Sequence, residues 1–228
     1  MIRVLLLVIG YCLGMIQTGY LYGRMKGIDI RKAGSGNSGA TNSLRVLGKK
    51  AGLIVFAVDL CKCFIPCLIV KAWAVSSGQQ HMEDIYMLYL AFGVILGHNY
   101  PCYLNFKGGK GIAATAGLIL SFHPYFIVMG VVLFFGAFLT THYVSLGSLL
   151  VYAGFMIQMV VCGQMGLFGA MPQSQLYEMY AITAFLTVMA YWKHRQNIVR
   201  LIHGNERKTY LFKKKAAEEQ TEISGEDK

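Results

Sequence analysis

The sequence predicts an all-α integral membrane protein with about seven transmembrane helices. Hydrophobic residues make up 55% of the 228 residues, charged residues make up only 14%, and the mean hydropathy is +0.48. A soluble domain carries roughly 25% charged residues. Because one span needs about 20 apolar residues, the length accommodates about seven spans with short loops. It excludes a large domain outside the membrane.

Seven apolar segments account for the predicted spans. They cover about 2–23, 51–75, 84–104, 111–123, 124–140, 143–170 and 176–192. The fourth segment is short, so it either crosses the bilayer at a tilt or forms a re-entrant segment, and we favour a crossing. The first segment lacks a small-residue cleavage pattern, so we interpret it as a retained span and not as a signal peptide.

The basic residues predict the orientation of the chain. Eighteen of the 21 lysine and arginine residues fall in 24–50, in 105–110 or from Lys193 onward, whereas the loops at 76–83 and 171–175 have none. By the positive-inside rule the N-terminus lies outside and the C-terminus is cytoplasmic. We expect a single polytopic transmembrane domain over 1–207, followed by a polar, charged cytoplasmic tail at 208–228. The net charge of +10 then reflects topology and attraction for anionic lipids or substrates, not nucleic acid.

The six cysteines do not indicate a metal site or a disulfide framework. They lie in apolar stretches, without paired spacing and without histidines at zinc-ligand spacing. We interpret them as small buried hydrophobic residues. The sequence predicts no metal and no cofactor.

The first cytoplasmic loop has a composition that suits a phosphate site. It reads GSGNSGATN from Gly34 to Asn42, and Arg45 follows. Alternating glycines permit positive φ and close approach to a ligand, consecutive N–H groups can form an anion-binding nest, and a guanidinium binds phosphate with two hydrogen bonds. The alternative is a flexible turn. The candidate residues are Gly34, Ser35, Gly36, Asn37, Thr41, Asn42 and Arg45.

The second cytoplasmic loop reads NFKGGKG over 105–111 and leads directly into the fourth segment. Glycines around a lysine at a helix N-terminus would present free N–H groups, the positive end of the helix dipole and an ammonium to one anion. The spacing is not that of a Walker loop, so nucleotide hydrolysis is not indicated. A glycine turn with a basic membrane anchor is the alternative. The candidates are Lys107, Gly108, Gly109, Lys110 and Gly111.

A third polar set, HRQNIVRL, follows the last span at 194–201, and Glu206 lies just beyond it. On a helix, His194 and Asn197 share one face, and Arg195 adds a guanidinium. Three roles stay open for His194, namely a base, a donor to phosphate and a structural hydrogen-bond partner.

Polar residues inside the predicted spans add two further candidates. Asp59 and Lys62 lie three residues apart at a depth where charge is costly, so we expect them to pair or to face a polar interior. Their role is structural or functional. Ser145 and Ser148 share a face at the cytoplasmic end of the sixth span, where they either bond their own helix or line a site.

Together these motifs resemble those of the acyl-phosphate:glycerol-3-phosphate acyltransferases, the PlsY family. The resemblance rests on GSGNSGATNSLR, HNYPCYLNFKGGKG and HRQNIVRL in that order, and it includes KGIDIRKAGSGN, VDLCKC and YVSLGS between Gly14 and Glu206. It implies transfer of a fatty acyl group from acyl phosphate to the 1-hydroxyl of glycerol 3-phosphate. The products are lysophosphatidic acid and inorganic phosphate, in the first acylation step of bacterial phospholipid synthesis. The implied location is the bacterial inner membrane, with the site on the cytoplasmic face.

The same resemblance implies roles for particular residues. Glu206 serves structural integrity, and Gly108, Gly109 and Gly111 bind glycerol phosphate. The implied catalytic residues are Ser35, Arg45, Lys110, Ser145, His194 and Asn197. The sequence departs from the family at GMIQTGY, where a Ser-Pro usually precedes the Gly-Tyr, and at Cys63, where a glycine usually follows the lysine. Both departures concern local helix packing and acyl-chain fit.

We expect direct attack by glycerol 3-phosphate on the acyl group, with aligned substrates and stabilised charge as the main catalytic needs. Either His194 or a substrate phosphate acts as the base. An acyl-enzyme at Ser35 ranks lower because no His/Asp pair of the usual triad kind is adjacent. An anion transporter is the main alternative from another class, although its ligands should reach the membrane midplane. The expected partners are the two substrates and membrane lipid, and the sequence does not predict an oligomeric state.

Overall fold

Helices provide the secondary structure of the described residues, which are 1–169 and 171–210 of this computed structural model. Within these ranges there is no strand, so the all-helical prediction is confirmed there. The predicted tail at 208–228 lies outside the described residues from 211 onward. The helices are α1 (Ile2–Gly14), α2 (Thr18–Met25), α3 (Ala40–Leu47), α4 (Lys49–Ser76), α5 (Glu83–Asn99), α6 (Ile112–Ser121), α7 (Pro124–Thr141), α8 (Val144–Gln164), α9 (Gln173–Lys193) and α10 (Arg195–Ile202).

Several helices are suited to a membrane. Within the described residues, four stretches are long and apolar enough to cross it, namely α1 with α2, α4, α7 and α8. Their outer surfaces are apolar, and Leu53 and Val128 are 69% and 65% exposed, as expected for side chains that face lipid. The coarse prediction of an apolar helical protein is confirmed, and the count of seven spans stays a prediction.

Helix boundaries differ from the predicted segments where the backbone must turn. The first segment is interrupted between α1 and α2 at Met15–Gln17. Helix α5 ends at Asn99 rather than at 104, since the residue before Pro101 disfavours helical backbone. Helix α8 ends at Gln164, because Gly166 and Gly169 adopt positive φ of 72° and 69°.

The short helix α6 runs alongside α5. Its ten residues are roughly 15 Å long, half of the hydrocarbon core. Gly111, which precedes α6, lies against Ile95 of α5, and His123, which follows α6, bonds Asp84 at the other end of α5 over 3.0 Å. The loop before α6 therefore lies beside α5, within the bundle. From there, ten helical residues are enough to bring His123 to Asp84, near the start of α5.

Helices α1 and α5 pack with their backbones in contact. A Cβ atom added to Gly10 or Gly14 would overlap with backbone of α5, and one added to Gly93 or Gly97 would overlap with backbone of α1. A spacing of four residues places each pair of glycines on one helix face. Small residues at this spacing let membrane helices approach closely. The contact fixes where α1 and α5 end relative to each other.

The cysteines are only partly buried. Cys63, Cys67 and Cys162 are buried as predicted and Cys61 is half-buried, whereas Cys12 and Cys102 are exposed. The prediction of burial is wrong for these last two. Their exposed sulfurs lie on the outer surface of an apolar protein. A cysteine side chain is weakly polar, so Cys12 and Cys102 are compatible with a surface that faces lipid.

We expect Gly93→Ala to lower the free energy of unfolding by about 1–3 kcal/mol, because the added methyl would overlap with the Leu7 carbonyl and force the helices apart. Thermal unfolding in detergent measures the effect. Gly136→Ala makes the same change inside α7, where nothing lies within 4 Å of the added atom. It should leave stability unchanged or raise it by up to ~1 kcal/mol. Equal effects of the two variants would contradict the packing account.

Candidate active site

The three sequence motifs meet in one cavity of about 660 Å³ at one end of the bundle. The start of α8 contributes Ser145 and Ser148 to the same cavity. Gly34, Gly109 and Lys62 do not line it. The predicted site residues that line the cavity are Ser35, Gly36, Asn37, Thr41, Asn42, Arg45, Asp59, Lys107, Gly108, Lys110, Gly111, Ser145, His194, Arg195, Asn197 and Glu206.

Asn42 holds the first loop in shape. Its side chain is only 2% exposed. The Oδ1 atom accepts from the Ser35 N–H over 2.8 Å, and Nδ2 donates to three loop carbonyls at 2.9–3.2 Å. A Cβ atom on Gly34 would overlap with Asn42 Oδ1. The polar atoms of Asn42 are therefore bonded to the loop backbone. The bond to Ser35 uses its backbone N–H, and Ser35 itself is exposed.

The predicted positive φ holds for two of the three glycines of this loop. Gly34 and Gly36 have φ of 60° and 72°, which other residues adopt at a cost. Gly39 has φ of −84° and precedes α3, so the expectation is wrong there. Its N–H is instead bonded by Asn37 Oδ1 at 2.8 Å, an arrangement typical of a local Asx turn.

The second loop uses its glycines for close packing. Gly108 N–H donates to the Asn99 carbonyl over 3.2 Å, and Gly109 N–H donates to the His98 carbonyl over 3.0 Å. The expectation of free N–H groups is therefore wrong for these two glycines. A Cβ atom on either would overlap with His98. The close contact places Lys110 and the N-terminus of α6 at the cavity, where first-turn N–H groups favour an anion.

Glu206 bonds residues of two helices, α8 and α10. Its Oε1 accepts from Asn197 Nδ2 at 2.6 Å and from Ser145 Oγ at 3.0 Å, and its Oε2 accepts from Arg200 Nε at 2.7 Å. Lys110 Nζ in turn donates to Asn197 Oδ1. Burial opposes the charge of Glu206, but these donors outweigh it and lower its pKa. The carboxylate is therefore ionised at neutral pH and orders the cations around it.

Burial also sets the protonation of Lys110 and His194. Burial lowers the pKa of Lys110 to about 8, and nearby arginines add to the effect while Glu206 opposes it. Burial and the Lys110 charge lower the pKa of His194 to about 4. His194 Nδ1 lies 2.8 Å from the Ala190 carbonyl, and since a carbonyl only accepts, Nδ1 carries the proton. Nε2 is then an acceptor.

Arg45 is held by the segment after α10. Its Nη2 donates to Thr209 Oγ1 at 2.7 Å and to the Arg207 carbonyl at 3.2 Å. Thr209 is 5% exposed, and its N–H donates to the His142 carbonyl over 2.9 Å. Residues 207–209 lie after the third motif and after Glu206, so the sequence analysis did not include them among the candidates.

The pairing predicted for Asp59 and Lys62 is confirmed. Lys62 Nζ donates to Asp59 Oδ1 at 2.8 Å and to the Ile16 carbonyl at 2.6 Å, and it lies 2.8 Å from His98 Nδ1. Thr18 Oγ1 donates to the same Asp59 oxygen at 2.9 Å. These residues form a buried polar layer directly beneath the cavity.

Lys193 and His98 are among the cavity residues that were not candidates. Lys193 Nζ donates to the Asn99 carbonyl at 2.7 Å and lies 4.2 Å from the Tyr100 ring centroid. His98 lines the cavity floor. The available signals were a lysine directly before the third motif and a histidine at the start of the second. The position of neither residue in the sequence is enough to assign it to a binding site.

The remaining candidates lie at the margin or bond their own helix. Arg195 is exposed at the rim, donates to the Trp192 carbonyl at 3.1 Å and stacks on the Trp192 ring. Ser148 does both things that were expected as alternatives, since it lines the cavity and its Oγ donates to the Val144 carbonyl at 2.8 Å. His194 lies between α9 and α10, whereas Asn197 lies within α10.

A family model described as glycerol-3-phosphate acyltransferase matches residues 4–204. The chain belongs to this family. Relatives with the name glycerol-3-phosphate acyltransferase include one from Aquifex aeolicus, 36% identical over 88% of this chain and 96% of that protein. Another, from Macrococcus caseolyticus, is 38% identical over 92% of this chain and 98% of that protein. The resemblance found in the motifs is thereby confirmed.

Solved structures of an integral membrane glycerol 3-phosphate acyltransferase, PlsY (YgiH), share the fold. The glycerol 3-phosphate form has a TM-score of 0.76 and 33% identity, covering 91% of this chain and 96% of that one. The lysphosphatidic acid form has a TM-score of 0.72 and 33% identity, covering 91% and 95% of the two chains. The similarity extends over almost the whole of both proteins.

We expect Glu206→Ala to lower the free energy of unfolding by about 1–3 kcal/mol, because Ser145 and Asn197 lose their acceptor and Arg200 loses its counter-charge. Thermal unfolding in detergent measures the loss. Glu206→Gln keeps the shape and one acceptor oxygen, so its loss should be smaller. Wild-type stability of the alanine variant would contradict the role given to this carboxylate.

Proposed function

We propose that the protein transfers a fatty acyl group from acyl phosphate to the 1-hydroxyl of glycerol 3-phosphate. The main support is the charge of the cavity. Seven lysine and arginine residues line it against two carboxylates, Asp59 and Glu206. Both substrates of this reaction are phosphates, and two phosphate groups match such an excess of positive charge. The family and the PlsY neighbours, solved in glycerol 3-phosphate and lysphosphatidic acid forms, support the same acceptor and product.

The cavity has an apolar side for the acyl chain. Phe56 of α4, Ile112 of α6, Phe134 of α7 and Val144 of α8 line it. A fatty acyl chain placed there would extend between helices whose outer faces are apolar, while its phosphate stays with Lys110 and Arg45. This placement brings the reacting carbonyl to the boundary between the apolar and the basic parts of the cavity.

The reaction needs alignment and charge stabilisation more than a strong nucleophile. Acyl phosphate is a mixed anhydride, so the 1-hydroxyl oxygen bonds to the acyl carbon and the bond to phosphate breaks. The hydroxyl proton leaves with inorganic phosphate. Lys110, Arg45 and the N-terminus of α6 stabilise charge on the phosphates and on the oxyanion. Bound in one cavity, the two substrates gain from proximity and orientation.

His194 is placed to orient the incoming hydroxyl. Its Nε2 is the unprotonated nitrogen, and the low pKa keeps the ring neutral at physiological pH. It therefore accepts a hydrogen bond from the hydroxyl and passes the proton toward the departing phosphate, which is the stronger base. Ser145 and Asn197 are held by Glu206 and complete the polar wall. Ser35 has no histidine or carboxylate partner among the described residues, which disfavours a covalent acyl-serine.

The orientation in the membrane follows from the same basic residues. The cavity lies at the end of the bundle that carries the loops at 24–50 and 105–110. The positive-inside rule places this end in the cytoplasm. We therefore propose an outer N-terminus, a cytoplasmic site and about seven spans in a single domain over 1–207. The family resemblance adds the bacterial inner membrane as the location.

The activity is tested with the protein purified in mild detergent. We expect release of phosphate and formation of lysophosphatidic acid from acyl phosphate with glycerol 3-phosphate, and no product with acyl-CoA. Lys110→Met should reduce turnover about 100–1,000-fold, because a charge that stabilises the transition state is lost. Product from acyl-CoA alone would overturn the donor. No product from either donor in a folded preparation would overturn the activity, and solute uptake in proteoliposomes would become the next assay.

The pKa of Lys110 predicts a pH dependence. Its ammonium form predominates below pH 8 and is lost above it. Because kcat/KM reports the ionisation of the free enzyme, kcat/KM for glycerol 3-phosphate should fall as pH rises through about 8. Lys110→Arg keeps its charge to pH ~10 and beyond, so this fall should move to higher pH. If kcat/KM fell at the same pH in the wild type and in Lys110→Arg, a group other than Lys110 would cause the fall.

A further inference from the structure

A buried glutamine outside the three motifs joins the two anion-binding loops. Gln17 lies in the break between α1 and α2 and is 1% exposed. It stands in GMIQTGY, where this sequence departs from the pattern of the family it resembles. It does not line the cavity, so it has no direct part in binding the substrates.

Both ends of the Gln17 carboxamide are used. Its Oε1 accepts from Ser38 Oγ over 3.0 Å, and its Nε2 donates to the His98 carbonyl over 2.8 Å. Ser38 belongs to the first loop and is 2% exposed. The His98 carbonyl also accepts from the Gly109 N–H of the second loop. A chain of three hydrogen bonds therefore runs from one loop to the other through a single side chain.

The surrounding backbone makes this chain of contacts rigid. The glycine contact between α1 and α5 holds the end of α1 beside the end of α5 that carries His98, and Gln17 follows the end of α1 by three residues. On the other side, a Cβ atom at Gly19 would overlap with the Ser38 carbonyl, so α2 and the first loop are also in close contact. Buried networks of this kind are stiff and costly to leave incomplete.

We propose that Gln17 is a positioning residue that keeps the two loops at the separation required for acyl transfer. The inference rests on the proposed function, in which both phosphates must be bound together. Each loop is also held by its own contacts, through Asn42 in the first and through the α5 carbonyls in the second. Loss of Gln17 therefore changes the separation of the loops and leaves each loop folded. Small displacements of bound reactants reduce rates strongly.

Gln17→Leu removes both hydrogen bonds with little change in size. We expect kcat to fall about 10–100-fold, while the affinity for glycerol 3-phosphate alone, measured by calorimetry, changes less than about 3-fold. Gln158→Leu is the matched control, because Gln158 also donates from Nε2 to a backbone carbonyl, that of Tyr125, at 3.0 Å. It should leave kcat unchanged. Wild-type kcat in Gln17→Leu, with an active wild-type preparation, would overturn the inference but not the proposed function.

Ser38→Ala breaks the same connection from the other side. If both residues act through one connection, the double variant should lose no more activity than Gln17→Leu alone, whereas independent effects would multiply. If Gln17→Leu fails to fold, a loss of kcat in Ser38→Ala with unchanged binding supports the inference, and wild-type kcat refutes it.

Hydrogen exchange tests the connection without an activity measurement. The amides of Gly108 and Gly109 should exchange faster in Gln17→Leu than in Gln158→Leu, and equal rates would refute the connection.

Discussion

The backbone contact between α1 and α5 is the constraint on which the geometry of the cavity depends. Four glycines let the two helices touch, so the ends of both helices are fixed together. The end of α5 then provides the His98 and Asn99 carbonyls that hold the second loop. The break that follows α1 provides Gln17, which accepts a hydrogen bond from Ser38 of the first loop. A packing rule for membrane helices thus determines the separation of two polar loops.

Charge is the second constraint, because the cavity collects basic residues that repel one another. Glu206 and Asp59 offset part of this charge, and the rest is available to anions. Burial and neighbouring cations lower the pKa of Lys110, which is the cost of concentrating positive charge before a ligand arrives. Binding of phosphate reverses that cost, so the arrangement favours a dianionic ligand over a neutral one. The site is therefore prepared for charge that the substrates bring.

The sequence predicted the helical class, because hydropathy is a local signal, and the family resemblance implied that the three motifs belong to one site. Spacing and the cost of charge inside a membrane also led to the expectation that Asp59 and Lys62 pair or face a polar interior, and they pair. The sequence did not predict that Gly108 and Gly109 would bond α5, because such contacts depend on a helix end ten residues away along the chain and adjacent only in the fold. The same holds for Arg45 with Thr209 and for Gln17 with Ser38. Long-range partners of this kind follow from packing and leave no periodic pattern.

The account requires both substrates to be bound together before the acyl group moves. The most direct test is exchange of labelled inorganic phosphate into acyl phosphate by the purified protein, with glycerol 3-phosphate left out. Direct transfer predicts no exchange above the uncatalysed rate, because no acyl-enzyme forms to react with phosphate. Exchange at a rate comparable with turnover would contradict direct transfer. It would place the acyl group on a side chain of the protein, with Ser35 as the first residue to examine.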